Sequence, residues 1–362
     1  MVNNERKLGV ILTYINIFLN TLVMLAVTPL LLRYLGQSEY GLYALAMSVL
    51  TYLALLDFGF GNAIIVLTSK YIVNNDRRKQ EVLYGTVLTS YYFISFISLL
   101  LMTFFYHIVD DVFSNSMTGD EIDIFKKIIV ILGINIVFSI PANMFRSILI
   151  AYERFFFLNT LSILRALSVP LLIVIAICFE YRIITMILSV TFVNVICLFV
   201  QYKYYKKYIN IKIKLGDFNR NVFKLAFKYS IFVFIATIAD QVNWNSGQLI
   251  IGSYLGAKEI AVYSIAVLFN TTFIMLSSAV SSVLLPKVTK MISTAVSNQQ
   301  LTSEMIRIGR LQSYIVLLVL FGFSLFGKAF IYHWAGIEYE DAYYLTLIIM
   351  VPLSIPLMQH LG

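Results

Sequence analysis

Charge is scarce in this chain of 362 residues. Asp, Glu, Lys and Arg make up only 13% of it, and 60% is hydrophobic. Soluble domains carry about 25% charged residues, so a water-facing globular surface is excluded and a polytopic membrane protein is expected. Cysteine is nearly absent. Cys178 and Cys197 are the two, and both lie in apolar runs. That excludes a disulfide framework and a C-x-x-C metal site. Histidine is equally sparse: His107, His333 and His360 are scattered, with no H-x-x-H or D-x-D spacing beside them. A membrane-embedded polymerase or glycosyltransferase needs a placed acid, base or metal cluster. That reading is set aside, and neither a cofactor nor a metal is expected.

What is present is a series of ten apolar runs of spanning length, which predicts an all-α membrane protein. The first, Leu8–Leu32, is too long for a signal-peptide core and is expected to be a retained span. The second (Tyr40–Thr68) and seventh (Val222–Tyr254) exceed the ~20 residues a span needs, so tilt, a kink or overhang is expected there. The net charge of +8 comes from Lys and Arg set between the runs. Alternate connections hold most of them: Arg6 and Lys7, Lys70 to Lys79, Arg146 and Arg154, Lys203 to Lys228, and Lys287 to Arg310. The opposite connections hold only Arg33, Lys126, Lys127, Arg182, Lys258 and Lys328. The positive-inside rule then places the N-terminus in the cytoplasm. The basic, tyrosine-rich linker Lys203–Lys214 fits a cytoplasmic segment beside anionic lipid, and no nucleic-acid partner is expected.

The chain also repeats itself. Tyr34-Leu35-Gly36, Glu39 and Tyr43 recur as Tyr254-Leu255-Gly256, Glu259 and Tyr263, and Ala46, Thr51 and Lys70 recur at the same offset as Ala266, Thr271 and Lys290. One constant spacing points to a duplication. Six spans separate the copies, so the repeat is parallel, about an axis along the membrane normal. The expected domains are a six-span lobe over residues 1–218 and a second lobe over 219–362, of which four spans are present. The symmetry implies two further spans beyond residue 362.

The segments TPLLLRYLGQSEYGLYAL, LDFGFGNA, IPANMFRSILIAYERF and LIIGSYLGAKEIAVYSIA resemble the polysaccharide-biosynthesis (O-antigen, Wzx-type) flippases of the multidrug/oligosaccharidyl-lipid/polysaccharide exporter superfamily. The resemblance implies a MATE-like fold of two six-helix lobes around a central cavity, working by alternating access in the bacterial cytoplasmic membrane. It implies a lipid-linked oligosaccharide, carried on undecaprenyl diphosphate, as cargo for O-antigen or capsule synthesis. Further implied partners are membrane lipids, H+ or Na+ as coupling ion, and polysaccharide polymerase and glycosyltransferases. An organic-cation exporter of the same superfamily is the alternative. The sequence departs from many relatives at Gly247-Gln248, where they carry an acid followed by a base.

Moving a polar, anionic headgroup through hydrocarbon needs polar groups deep within spans. Arg165 is expected to contact the diphosphate, which a guanidinium suits, or else to form a structural ion pair with Asp57. Asp57 opens Asp-Phe-Gly-Phe-Gly-Asn. Gly59 and Gly61 weaken the helix there, giving either a hinge beside the cavity with a protonatable group or a carboxylate that satisfies loosened backbone. The seventh run is densest in polar side chains: Asp240, Gln241, Asn243, Trp244, Asn245 and Gln248. Asn16 and Asn20 occupy the matching place in the first run. The two sets are read either as pseudo-symmetric cavity walls for sugar hydroxyls or as hydrogen-bonding glue between spans.

Overall fold

The computed structural model describes residues 2–214, 216, 218–293 and 297–359, with side chains described except at 2–11, 13–14, 53–54, 279–290, 292–293 and 298. The described residues are helical with no strand, and nine helices are long and apolar enough to cross a membrane. The expectation was ten. The difference arises because the first two runs share one element, α1 (Val2–Ala54), which leaves helical geometry at Gly36 (φ 73°, ψ 178°). That left-handed φ suits glycine. The second run then stops at a 3-10 turn, Leu55–Asp57, and resumes as α2 (Phe60–Val73). The excess length expected there is absorbed by this break.

The remaining helices are α3 (Arg77–Phe113), α4 (Gly119–Ala151), α5 (Phe155–Cys178), α6 (Ile183–Tyr208), α7 (Arg220–Tyr254), α8 (Ala257–Ser293), α9 (Asn298–Trp334) and α10 (Ala342–Met358). Several of their starts carry capping chemistry. Asp76 accepts from the Lys79 amide (3.0 Å), and Asn219 accepts from the amides of Asn221 and Val222. Thr118 and Glu121 form a reciprocal capping box. Prolines 29, 141, 170, 352 and 356 sit inside helices, which membrane spans tolerate because neighbouring groups re-satisfy the freed carbonyls. Phe93, Phe96, Phe104 and Phe138 are more than half exposed on α3 and α4. So wide an apolar surface is one for lipid.

The chain forms two compact units, Met1–Ala257 and Lys258–Gly362. In the first, Phe60, Leu67, Tyr84, Tyr91, Met144 and Ile148 form a core joining α2, α3 and α4, which Ala226 of α7 enters. In the second, Phe273, Val316, Met350 and Leu357 join α8, α9 and α10. Gln312 donates to Ser277 (3.1 Å), which donates to the Leu357 carbonyl (3.2 Å). The boundary expected after residue 218 marks where the second copy of the repeat begins, a matter of sequence. Compactness divides the chain later, because α7 packs along its length against α1 and α2. Phe223 meets Phe60 (5.7 Å between centroids), Phe234 meets Phe58 (4.7 Å), and the Tyr52 hydroxyl donates to the Gln241 carbonyl (3.3 Å).

Candidate functional site

α5 and α1 bring three of the nominated residues into one neighbourhood. Asn16 donates its amide to Ser162 Oγ (3.0 Å), and Asn20 donates to both the side-chain and main-chain oxygens of Asn16 (2.8 Å each). Arg165 follows Ser162 by three residues, nearly one helical turn, on a neighbouring part of the helix surface. It lies ten residues into a 24-residue helix, about 15 Å from its start and too deep for easy snorkelling. Its side chain is exposed and has no carboxylate partner among the described residues. The pairing with Asp57 considered from sequence is therefore not formed. Ser162 was not nominated, since one serine in an apolar run carries no signal of its own.

Asp57 sits at the break between α1 and α2. Phe58 (φ 51°) and Gly59 (φ 70°) are both left-handed, and the Gly61 amide donates to Asp57 Oδ2 (3.3 Å). The Tyr91 hydroxyl lies beside the carboxylate, and among the described residues neither Asp57 Oδ1 nor the Tyr91 hydroxyl, both buried, meets a partner within strict hydrogen-bond geometry. The two glycines serve different ends. Gly59 supplies the backbone conformation, and a Cβ there would also stand 3.0 Å from the Ser230 carbonyl oxygen of α7. Gly61 is helical and supplies room, with Ser147 Oγ 2.9 Å from where its Cβ would be. Gly59→Ala is expected to cost at least about 1–2 kcal/mol for the left-handed conformation alone. Thermal unfolding of the detergent-purified protein checks this, and an unchanged midpoint would mean that the backbone there relaxes freely.

On α7 the nominated side chains divide. Asp240 and Asn243 are exposed; Trp244 and Asn245 are half-buried, Asn245 donating to Gln241. Gln248 is buried, and its Oε1 has no partner among the described residues. A second polar cluster escaped sequence reading. Asn194 of α6 donates to Asn135 Oδ1 and Ser139 Oγ of α4 (2.9 Å each), and Ser139 donates to Asn135 (2.9 Å). It ties α4 to α6 within one lobe, a cementing role. Asn194→Ala is expected to lower stability by about 1 kcal/mol, read from thermal unfolding of the detergent-purified protein. An unchanged midpoint would mean that the cluster does not cement the two helices.

One end of the first unit is drawn tight. The Ser116 hydroxyl donates to the Gly252 carbonyl (2.7 Å), Ser38 to Glu121, and Arg182 pairs with Glu39 (3.0 Å). Gly256 (φ 101°) would place a Cβ 2.4 Å from the Ser116 carbonyl oxygen, and Gly41 would place one 1.7 Å from that of Ala257. Backbone meets backbone here because neither glycine has a side chain. These residues come from connections that the distribution of Lys and Arg assigned to a single side.

The arrangement of the helices matches solved membrane transporters. A lipid II flippase, MurJ, in an inward closed conformation aligns with TM-score 0.72 and 18% identity, over 96% of this chain and 73% of that one. An inward-facing multidrug resistance MATE family transporter of the MOP superfamily aligns with TM-score 0.66 and 13% identity, over 95% and 79%. A mutant form of the Vibrio cholerae MATE transporter VcmN aligns with TM-score 0.62 and 12% identity, over 99% and 84%. At these identities the likeness is one of fold: an all-α, multi-pass MATE-like architecture. No curated protein matches the sequence. The family model for polysaccharide biosynthesis proteins matches residues 30–343, and the chain belongs to that family.

Proposed function

We propose that the protein translocates undecaprenyl-diphosphate-linked oligosaccharide from the cytoplasmic to the outer leaflet of the cytoplasmic membrane, by alternating access. Its partners would be the polymerase and glycosyltransferases of surface-polysaccharide synthesis. The observation that carries the reading is Arg165: an exposed guanidinium, without a carboxylate partner among the described residues, about midway along a spanning helix and near the Asn20–Asn16–Ser162 run of amide and hydroxyl groups. A cation suited to phosphate next to groups suited to sugar hydroxyls matches the headgroup of such a lipid. Membership of a polysaccharide biosynthesis family supports the same cargo. Asp240, Asn243, Trp244, Asn245 and Gln248 are assigned to the sugar-facing wall of α7, and Gly59 and Gly61 to a hinge beside Asp57. The N-terminus is placed in the cytoplasm.

The test is expression in a bacterium lacking its own flippase, with surface polysaccharide as the readout. Restored polymer supports the proposal. Dye efflux from the same cells without restored polymer would favour the organic-cation exporter, for which the exposed Asp240 carboxylate is the feature in favour. Asp240 also gives the coupling ion a candidate ligand. Asp240→Asn is expected to flatten the dependence of transport on external pH or Na+, and an unaltered dependence in both would remove Asp240 from coupling.

A further inference from the structure

A groove on the first unit, of about 800 Å³, lies apart from the residues assigned to transport. Leu88, Phe96 and Leu99 of α3 form one wall, and Phe138 and Phe145 of α4 another. Its length follows from helix geometry: Leu88 to Leu99 is about 16 Å, against ~15 Å for half of the hydrocarbon core. Its floor is apolar, and Phe96, Leu99 and Phe138 are exposed. At one end the chain turns back over it. Asn210 takes a left-handed φ of 46°, and the Tyr205 hydroxyl donates to the Ile211 carbonyl (2.6 Å), which pins the linker beside α6. This fold-back puts Lys206 and Lys212 together at the mouth. Both are exposed, and neither has a carboxylate partner among the described residues.

A shorter groove continues beyond Leu99 along α3 and α4, past Met102, Gly133 and His107. Beside it Lys126 is paired with Asp110 and lies over the Tyr106 ring. Among the described residues that line the two grooves, Lys206 and Lys212 are the only Lys or Arg, and both stand at the linker end, the end that the distribution of Lys and Arg assigns to the cytoplasm.

We propose that this groove is a binding site for an anionic glycerophospholipid of the inner leaflet, one acyl chain lying between α3 and α4 and the headgroup phosphate held by Lys206 and Lys212. An apolar channel one leaflet long, capped by a pair of exposed cations, is complementary to such a lipid in charge and in length. The occupant is a resident of the bilayer, and the site stands whether or not the transport reading holds. A lipid seated there joins α3, α4 and the linker, and so braces the segment that connects the two copies of the repeat.

The test uses the full chain in detergent, with dioleoyl-phosphatidylglycerol and dioleoyl-phosphatidylcholine as probes and native mass spectrometry as readout. One phosphatidylglycerol is expected to be retained in preference to phosphatidylcholine. Lys206→Gln with Lys212→Gln should weaken retention about 30-fold, taking each lysine near an anionic lipid at its usual strength. Ala142→Phe, which fills the groove and leaves both lysines in place, should abolish retention with an unchanged unfolding midpoint. Equal retention of the two lipids, or of phosphatidylglycerol by either variant, would overturn the site. So would displacement by millimolar glycerol phosphate, since the acyl chain would then contribute nothing.

Discussion

Replacing Arg165 with alanine is expected to abolish surface polysaccharide in the complemented flippase-deficient strain while the amount of protein in the membrane stays unchanged. Arg165 carries no structural ion pair among the described residues, so its removal strands no buried carboxylate. The usual cost of breaking a buried pair, about 3–5 kcal/mol, is therefore not incurred. What is lost, on the proposed function, is the contact to the diphosphate. A guanidinium makes two charge-assisted hydrogen bonds to a phosphate group, each of about 1.5–3 kcal/mol, so transport should fall by about a hundredfold or more. Arg165→Lys should retain part of the activity, because it keeps the charge and loses the fork. A parallel fall in membrane abundance would show instead that Arg165 holds the fold together, and unaltered export would remove it from the path of the cargo.

Gly41→Leu should be nearly as severe, for a different reason. The Cβ alone would stand 1.7 Å from the Ala257 carbonyl oxygen, and the obstruction is backbone that no rotamer change can move. Closure at the Ser116 end would have to be given up or the helices shifted, at a cost at or above the ~1–3 kcal/mol typical of overpacking. In a background with Cys178 and Cys197 replaced by serine, a cysteine at Ser116 reports the state of that end. With Gly41→Leu, its labelling by a membrane-impermeant maleimide should rise at least about tenfold, the change expected when a closed state loses more than ~1.4 kcal/mol. Export should fall as well, since the proposed alternating access needs both ends to close in turn. Unchanged labelling and export would mean that this contact is incidental to the cycle.

The fold was legible in the sequence because the bilayer imposes it. A chain with ten apolar runs and almost no charge within them must form helices, and the recurrence of Tyr34-Leu35-Gly36 as Tyr254-Leu255-Gly256 exposes the duplication. The break at Asp57 to Gly61 was legible for a similar reason, since glycines and a carboxylate within an apolar run weaken a helix visibly. The merging of two runs into α1 was not, because it turns on whether helix resumes at once after Gly36, and no composition signals that. The polar side chains could be found by type, but their partners could not. Asn16 and Ser162 are distant in sequence, and the Asn135–Ser139–Asn194 cluster is built from residues that look ordinary in their own helices. Pairing of Asp57 with Arg165 was a fair inference from charge alone. Geometry set it aside, because the carboxylate turns to the Gly61 amide while Arg165 stays exposed.

The place of α7 has a bearing on how such a chain could be recombined. The sequence repeat puts the seam at the basic linker, yet α7 is cemented to the earlier half by Phe223, Phe234 and Gln241. A chimaera that swaps halves with a relative at residue 218 would set a foreign helix against a groove shaped for the native one. A crossover at the Leu255-Gly256 turn would carry α7 along with the surface it was selected to fit. Sequence repeat and cohesion follow different joints in this molecule, and only the second is a place to cut.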